Sequence, residues 1–439
     1  MKKSFYCYCI FYCLPVITYA DFVEKHSPLG SLSLGLQLQT ASFSESNNWF
    51  GKPVESIGER AEYWWEGSVE PHLRAELNLA EKSTLYGELS YLYAKNFGVD
   101  TSGLSTNYPD AERGLIEQAY IGWRSGNLYP SLGYNAIDLS IGRQDYNLGS
   151  GFLLYDGAND GGKWAGWWLG VRQSFTNTVI ARLDYSPIKL ELFHLDTRTF
   201  NRSDLLGFIG GDLEYNIANS ALLSLSYIYV DDAPTETIEG LNVFDVRLQI
   251  TPIPSISGLT LEGEFAQELK GSVYDAQGGY AQIKYHWDSL PGSPELSYRY
   301  SALAGDNPST PENEQFHSLA YGFSDWGTWF QGEITGEHVL DHSNLISHLY
   351  RIQVQAHENV WVNFFYYHFR LDQPEALQND ITNAHFADEF NLITDWSMND
   401  NTQVSASFSV VIPAEGAKSY AASGNQTWIQ GMLYLTFDF

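Results

Sequence analysis

The sequence predicts an all-β protein, namely a transmembrane antiparallel β-barrel of about 18 strands, within a range of roughly 16 to 20. Three observations predict it. Apolar and polar residues alternate with a period of two along much of the chain, short and long connections alternate between these segments, and the alternation runs to the last residue, Phe439. A chain of 439 residues is long enough for one large barrel.

The clearest strand is the stretch of residues 31–39, in which Leu32, Leu34, Leu36 and Leu38 alternate with serine, glycine and glutamine. Only an extended strand places these four leucines on one face. The same alternation recurs at residues 69–79, 222–229, 244–250, 259–265 and 296–300. One apolar and one polar face per strand is the pattern of a wall between lipid and a polar lumen.

The connections between the predicted strands fall into two classes. Short ones lie at residues 186–187, 216–219, 289–292, 358–359 and 398–401. Long, polar and acidic ones lie at residues 40–62, 95–113, 147–177, 231–240, 303–314, 371–384 and 413–427. Outer-membrane barrels have short turns at one rim and long loops at the other. We therefore expect residues 21–439 to form a single outer-membrane barrel with long extracellular loops.

The last predicted strand, residues 429–439, places Leu433, Leu435, Phe437 and Phe439 on one face. It resembles the terminal strand that barrel-assembly machinery recognises, so we expect that machinery as a partner through the strand ending at Phe439. Pairing of this strand with residues 32–38 would close the sheet. Lipid requires such closure, because each unpaired backbone group in it costs several kcal/mol.

An export signal is predicted at residues 1–20. Lys2 and Lys3 precede an apolar run, and Ala20 ends a small-residue cleavage site, so the mature chain is expected to begin at Asp21. The alternative is an uncleaved membrane anchor, which the shortness of the apolar run disfavours. All three cysteines lie in this segment, so we expect no disulfide or thiolate site in the mature chain.

The composition limits the possible partners and folds. Removing Lys2 and Lys3 reduces the 24 basic residues to 22, against 53 acidic ones, which gives a formal charge of −31. Nucleic acid is therefore not expected as a partner, because phosphate binding needs clustered Lys and Arg. The 13 Trp, 29 Tyr and 24 Phe exclude an acidic disordered chain. A soluble β-sandwich, β-helix or propeller is the alternative fold, which the loop asymmetry and the aromatic content disfavour.

Aromatic residues near the strand ends are expected to form interfacial girdles at the two membrane surfaces. They are Trp64, Trp65, Trp123, Trp287, Tyr298, Tyr300, Trp361 and Trp396.

Charges that point into the lumen are the candidates for selectivity. Twelve residues are predicted: Arg74, Arg143, Arg182, Lys189, Arg247, Lys284, Arg299, Arg351, Glu262, Glu264, Glu333 and Glu389. The alternative is a structural role, in which opposite charges pair across neighbouring strands and hold the wall together. Arg143 shares the parity of the lipid-facing Ile137, Leu139 and Ile141. It therefore lies either beyond the membrane band or on a β-bulge that turns it inward.

The glycine-rich loop of residues 149–168 has three possible roles. It could fold into the lumen and narrow it, or it could bind calcium, although it lacks the spacing and closing glutamate of an EF-hand. An ordinary surface loop is the default for this composition. No metal site and no cofactor is predicted. Outer-membrane lipid and lipopolysaccharide are expected partners, the latter through divalent cations held by acidic loops.

Several stretches resemble the alginate-export family of outer-membrane barrels. Residues 141–149 are similar to its Gly-Arg-Gln stretch, which leads from a strand into a long loop. Residues 181–185 and 189–193 resemble its paired strands around a short turn, and residues 389–392 its late acidic strand. The resemblance implies a wide monomeric barrel that passes a uronate polymer, or its fragments, through the outer membrane along a basic lumen. The many acids in these strands depart from that basic pattern.

Three other functions are open alternatives. A general diffusion porin for small hydrophilic solutes is the first. A barrel hydrolase is the second; Ser343 and Ser347 lie near His338, His342 and His348, but no nucleophile-elbow or zinc-binding motif accompanies them. A structural barrel is the third, and the predicted strand number disfavours it because wide barrels leave a lumen. We therefore predict a passive channel rather than an enzyme, with a polysaccharide or a small solute as cargo.

Overall fold

The fold is known from a computed structural model. It describes residues 21–51, 63–79, 82–101, 108–158, 160–197, 205–217, 220–253, 255–322, 331–377, 381–420 and 424–439. The predicted export signal, residues 1–20, lies outside the described residues.

The described chain forms 19 β-strands, each antiparallel to its neighbours in one sheet. In chain order they are β1 (Asp21–Ser27), β2 (Gly30–Ser46), β3 (Tyr63–Leu79), β4 (Ser83–Phe97), β5 (Glu112–Arg124), β6 (Ile137–Gln144), β7 (Phe175–Tyr185), β8 (Ile188–Asp196), β9 (Gly207–Ile217), β10 (Ala221–Asp232), β11 (Asn242–Ile250), β12 (Leu259–Lys270), β13 (Tyr274–His286), β14 (Glu295–Leu303), β15 (Leu345–His357), β16 (Val360–Leu371), β17 (His385–Asn399), β18 (Thr402–Pro413) and β19 (Trp428–Asp438).

The sheet closes between its last and its second strand. β19 pairs with β2 from Ile429 opposite Ser46 to Asp438 opposite Gln37, and β2 to β19 thus make a closed wall of 18 strands. The short β1 pairs with the other end of β2, and Leu36 exchanges two backbone hydrogen bonds with Phe439, of 2.7 and 2.9 Å. β1 therefore lies beside β2 in line with β19, beyond the point at which β19 ends. The predicted barrel and its strand number are confirmed.

The two rims differ as predicted, with two exceptions. The rim of short turns carries tight turns such as residues 186–187, 358–359 and 400–401. The opposite rim carries the long loops, including residues 145–174 and residues 304–344. The second of these is far longer than the predicted loop of residues 303–314. The first exception is residues 271–273, which join β12 and β13 by a tight turn at the long-loop rim, and the second is residues 125–136, which join β5 and β6 by a long connection at the short-turn rim.

The alternation of the sequence becomes the two faces of the wall. In β2 the leucines Leu32 and Leu34 are 46% and 44% exposed on the outside, whereas Ser33 and Gln37 are buried on the inside. Two of the predicted girdle residues face the lumen instead. Trp64 is fully buried and stacks on Phe43 at 4.8 Å, and Trp361 shares the inward parity of Asn363. Proximity to a strand end did not separate inward from outward tryptophans.

Helical structure is minor and confined to connections. In the part of the chain that the structure describes, it comprises α1 (Pro374–Leu377), α2 (Glu415–Tyr420), a π-helical segment (Gly332–Val339) and two short 3₁₀ segments (Asn48–Gly51 and Gly162–Trp164). Among the described residues, no helix has the length and the apolar composition needed to cross a membrane.

Candidate substrate pathway in the barrel lumen

The inner wall carries its charges mainly as hydrogen-bonded pairs between neighbouring strands. The strongest group surrounds Arg247 of β11. Its guanidinium lies 2.6 Å from an Asp212 oxygen of β9 and 2.8 Å from an Asp245 oxygen of β11. It also donates a 2.8 Å hydrogen bond to Ser226 of β10. All these groups are buried, so Arg247 joins three strands and its positive charge is offset by the two carboxylates around it.

Three further predicted cations form pairs of the same kind. Lys284 lies 2.5 Å from Glu262, and Arg182 lies 3.1 Å from Glu191. Arg74 lies 3.1 Å from the carboxylate of Glu88. The members of the last two pairs are more exposed than the Arg247 group; Arg182 and Glu191, for example, have side chains that are 36% and 30% exposed. Part of the inner wall is thus a ladder of opposite charges.

Lys189 of β8 occupies the same face near the short-turn rim. It lies in register between Asp184 of β7 and Glu214 of β9, and its side chain is exposed. Its ammonium group is therefore open to the solution at that end of the lumen.

Arg143 is turned inward by a β-bulge. The register between β6 and β7 shifts between Gly142 and Gln144, and Gly142 has φ of +131°, which favours glycine. Arg143 is consequently buried on the inner side, where its guanidinium lies 3.5 Å from Glu117 and donates a 3.2 Å hydrogen bond to the Ser174 carbonyl. Of the two positions open from the sequence, the bulge is the one present.

Arg299 and Arg351 bind amide oxygens and aromatic rings. Arg299 donates a 2.5 Å hydrogen bond to the Gln282 amide oxygen and lies 5.4 Å from the Tyr280 ring centre. Arg351 donates hydrogen bonds of 3.1 and 2.8 Å to Asn363. Its distance to the Glu295 carboxylate is 4.0 Å. Arg351 is thus less tightly bound to a carboxylate than Arg247 is.

A ladder of aromatic residues lies next to Arg351 on β16. Phe365, Tyr367 and Phe369 all face inward, are fully buried and stack at centroid distances of 6.1 and 5.4 Å. The Arg351 guanidinium lies 5.4 Å from the Phe365 ring centre. The sequence did not reveal this ladder, because the intervening Phe364 and Tyr366 make both faces of β16 aromatic.

Two long connections fold into the barrel and pack on this wall. The first inner loop (residues 145–174) leaves β6, and its tip reaches β11 and β12 on another part of the wall. Leu153 and Leu154 are fully buried. Ser150 donates a 2.9 Å hydrogen bond to Glu264, which also accepts one of 3.2 Å from Tyr280. The expectation of an ordinary surface loop is therefore wrong, because apolar residues inside the polar stretch bury themselves in the lumen.

A glycine lets the tip of the first inner loop approach the wall. Gly149 has φ of +58°, and a Cβ there would lie 2.6 Å from Nε of Arg247. Any other residue would strain the backbone and clash with the guanidinium. The same position therefore sets both the loop conformation and its contact with Arg247.

The returning half of the first inner loop is held by carboxylates of β3 and β5. Glu66 accepts hydrogen bonds of 3.1 and 3.0 Å from the backbone N–H groups of Trp168 and Leu169. Glu117 accepts two more, of 3.1 and 2.9 Å, from Gln173 and Ser174. The loop thus spans the lumen from β3 to β12, with both halves tied to the wall.

The second inner loop (residues 304–344, of which 304–322 and 331–344 are described) packs directly on the first through its described residues. Ala320 forms a parallel bridge with Leu154, with hydrogen bonds of 2.7 Å from the Tyr155 N–H and 3.0 Å to the Leu153 carbonyl. Phe316 stacks on Phe152 at 5.5 Å. The two inner loops form one apolar unit inside the barrel and narrow the lumen.

Glu389 of β17 holds the π-helical segment of the second inner loop. Its carboxyl group accepts hydrogen bonds of 3.2 and 2.8 Å from the N–H groups of Ile334 and Thr335, and one of 2.9 Å from Asn391. Glu389 is fully buried. Glu389 therefore docks the second inner loop on the wall.

Glu333 does not project from a strand of the wall into the lumen, so its prediction as a lumenal wall charge is wrong. It belongs, together with Glu337, to the π-helical segment, whose alternating polarity resembles that of a strand. Burial raises the pKa of Glu333 well above its ordinary value, and repulsion from Glu337, Glu389 and Glu45 raises it further. Glu333 is thus a titratable group of the second inner loop.

His338, the penultimate residue of the π-helical segment, lies in a cage of aromatic rings. Its ring lies 5.0 Å from Trp49, 5.2 Å from Trp168 and 5.9 Å from Trp428. Burial lowers the pKa of His338 to about 4, although its contact with the Thr101 carbonyl raises it. The imidazole is therefore neutral at ordinary pH and joins both inner loops to the wall. No sequence pattern predicts this cage, because its members are far apart along the chain.

The serines and histidines considered for a hydrolase do not form a nucleophile–base pair. The Ser343 hydroxyl donates a 2.7 Å hydrogen bond to the Phe316 carbonyl, and Ser347 donates one of 2.6 Å to Gln331. His342 lies 2.6 Å from a Glu337 oxygen. These side chains hold the second inner loop in place.

The comparison with protein families decides which barrels this one is related to. The model of the alginate export family matches residues 31–416. The chain belongs to the alginate export family. The resemblance inferred from its short motifs is confirmed, and this alginate export barrel is a channel protein of the outer membrane of a diderm bacterium. No curated protein matches the chain.

Solved structures share the architecture of this alginate export barrel. The outer-membrane protein OpdK of Pseudomonas aeruginosa has a TM-score of 0.57 and 11% identity, over 92% of this chain and 98% of that one. Its structure with vanillate has a TM-score of 0.56 and 12% identity, over the same shares. A triple mutant of the Rhodopseudomonas blastica porin has a TM-score of 0.42 and 10% identity, over 93% and 100%. The two OpdK structures establish similarity of fold alone.

Proposed function

We propose that this alginate export barrel passes an anionic polysaccharide of the uronate type, or its oligomers, through the outer membrane. The observation that carries the proposal is the family match over residues 31–416. In this proposal transport is passive. The loops inside the barrel are connections between its own strands that are bound to the wall, unlike the separate plug domain of an energy-coupled receptor. No cofactor and no catalytic residue takes part in it.

The inward cations are the groups that would attract a polyanion. Arg299 and Arg351 are the strongest of the twelve candidates, because each lies over an aromatic ring and donates a short hydrogen bond to an amide oxygen, of Gln282 and Asn363 respectively. Arg351 also lies 4.0 Å from the Glu295 carboxylate, a longer contact than the other pairs make. Arginine beside an aromatic ring presents both a cation and a flat face, which suits a sugar carboxylate. The remaining cations, Arg74, Arg143, Arg182, Arg247 and Lys284, are each paired with a carboxylate, and Lys189 lies between two acids.

A general diffusion porin for small hydrophilic solutes is the second candidate. It is favoured by the formal charge of −29 for the whole chain and by the two carboxylates that offset the positive charge of Arg247. In that case Glu262, Glu264, Glu333 and Glu389 would favour cations, and no cation on the wall would act on the cargo.

The partners follow from the outer-membrane location. Lipid surrounds the apolar outer face, and lipopolysaccharide is the expected contact of the long-loop rim. The barrel-assembly machinery would recognise β19, which ends beside Phe439. Nucleic acid is not expected as a partner, since the chain has 24 basic against 53 acidic residues.

Swelling of liposomes that contain the refolded barrel tests the proposed cargo. We expect faster entry of oligouronates than of neutral oligosaccharides of equal length. The double variant R299Q/R351Q should lose this preference. The control R124Q removes a cation that is paired with Glu76 and Asp138 outside the candidate set, and it should keep the preference. Equal entry of charged and neutral sugars into wild-type liposomes would favour the diffusion porin.

A further inference from the structure

The outer face of strands β14 to β17 is layered. A row of apolar residues, Leu296, Ile352, Phe364 and Leu392, runs across these strands in register. The next row towards the long-loop rim is aromatic and consists of Tyr298, Tyr350, Tyr366 and Phe390. Aromatic rows of this kind mark the boundary between hydrocarbon and headgroups.

The row above the aromatic one contains imidazoles and a carboxylate. It consists of Tyr300, His348, His368 and Asp388. His385 begins β17 one step closer to the rim and pairs with Arg370. The side chains of His368, His385 and Asp388 are 32%, 40% and 25% exposed. This histidine row therefore lies at the level of the outer-leaflet headgroups, where water and ions have access.

Three of these side chains converge on one point. Nδ1 of His368 lies 2.9 Å from one Asp388 oxygen, and Nε2 of His385 lies 3.1 Å from the other. The two imidazole rings are 4.5 Å apart. One donor atom from each of the three residues lies within 4.8 Å of the other two.

Two imidazole nitrogens and a carboxylate oxygen are the ligands of many zinc sites. Bonds of about 2.0–2.1 Å at a tetrahedral angle would place the donor atoms about 3.3 Å apart. The two nitrogen–oxygen distances of 2.9 and 3.1 Å, which reach different oxygens of Asp388, therefore need to open by a few tenths of an ångström. The donor nitrogens of the two imidazoles, which lie within 4.8 Å of each other, need to reach the same separation of about 3.3 Å. The nearby Tyr366 hydroxyl donates a 2.9 Å hydrogen bond to Asp388, and a hydrogen bond of this kind orients a carboxylate that binds a metal ion.

We propose that His368, His385 and Asp388 bind one divalent transition-metal ion of the zinc type on the outer face of the barrel. The fourth position of the tetrahedron faces the headgroup layer, and water or a phosphate oxygen completes it. Calcium and magnesium are disfavoured at this site, since they prefer all-oxygen coordination. The site is separate from the lumen and does not depend on the transported cargo.

Zinc titration of the refolded full-length barrel, in detergent free of lipopolysaccharide, tests the proposal. We expect saturable binding of one ion per chain by calorimetry, and a d–d absorption band of a low-symmetry site with cobalt. The variants H385Q and H368Q should each weaken binding at least about tenfold. H385Q is the safer variant for folding, because His385 stands at the strand end.

His348→Gln is the matched control. It removes a neighbouring outward imidazole whose Nδ1 lies 2.8 Å from the Tyr298 hydroxyl, and it should leave zinc affinity unchanged. Equal affinity in wild type and H385Q would place the ion elsewhere on the acidic surface and overturn the proposal. So would the lack of saturable zinc binding by the wild-type barrel, which would leave the three side chains as a hydrogen-bonded cluster.

Discussion

Replacing Arg247 by glutamine should destabilise the barrel much more than the same replacement at Arg182. Arg247 lies 2.6 and 2.8 Å from the carboxylates of Asp212 and Asp245, which are only 5% and 4% exposed. Removal of the guanidinium leaves both carboxylates buried without their countercharge. Removing one partner of a buried ion pair costs about 3–5 kcal/mol.

The Arg182 pair supplies the matched control. Arg182 and Glu191 lie 3.1 Å apart, but their side chains are 36% and 30% exposed. Solvent screens such a pair, which is worth about 1 kcal/mol or less. Both replacements remove one positive charge from the lumen, so a difference between them reflects burial. We expect the free energy of unfolding to differ by about 3 kcal/mol between R247Q and R182Q.

Urea unfolding of each variant in lipid vesicles, followed by tryptophan fluorescence, measures this difference. The midpoint for R247Q should fall well below that of R182Q, with the same dependence on urea concentration. Equal midpoints would refute the reasoning, because they would mean that Asp212 and Asp245 are protonated or hydrated in the wall and need no guanidinium.

Three further predictions concern the docking of the inner loops. Glu389→Ala removes the acceptor of two backbone N–H groups, so it should weaken docking of the second inner loop by about 2–4 kcal/mol and add open-state flicker to single-channel records; E389Q, which keeps one acceptor, should be milder. Gly149→Val puts a Cβ 2.6 Å from Arg247 at φ of +58°, which strains the docked loop by about 1–3 kcal/mol. Limited proteolysis should therefore cut the first inner loop faster in this variant than in the wild type. Mean conductance should be low and nearly constant between the ordinary pKa values of Glu and His, 4.5 and 6.5, where the two effects oppose each other, and it should rise as the pH goes higher. The raised pKa of Glu333 means that docking of the second inner loop weakens as the pH rises from the ordinary glutamate pKa through the raised one. The pKa of His338 is lowered to about 4, so docking also weakens as the pH falls from the ordinary histidine pKa towards this value. E333Q should flatten the alkaline side and H338Q the acid side, and a conductance unchanged by pH would contradict both assignments.

The wall of the barrel could be predicted because its rule is local. A strand between lipid and lumen needs one apolar and one polar face. Two consecutive residues, such as the outward Leu32 and the inward Ser33, are therefore enough to indicate which face is which. The lumenal position of Arg247, Lys284 and Arg299 followed from parity alone. The bulge that turns Arg143 inward was one of two possibilities, and Gly142 was the signal that could have decided between them.

The contents of the barrel could not be predicted in the same way. The first inner loop looks polar and glycine-rich, yet Phe152, Leu153 and Leu154 bury themselves against residues more than 150 positions away, such as Phe316. Contacts at such separation leave no periodic trace. Glu333 was assigned to a strand for the related reason that a short alternating run does not distinguish a strand from a helical turn.

Single-channel recording of the refolded barrel in a planar bilayer tests the central claim most directly, namely that this is a channel whose lumenal cations act on an anionic cargo. The account predicts a reversal potential that favours anions and a current blocked by oligouronates but not by neutral oligosaccharides, with block lost in R299Q/R351Q. Cation selectivity without uronate block would contradict the proposed cargo and leave an acidic porin. If neither the wild type nor E389A conducts at any pH, the claim that this protein is a channel is contradicted.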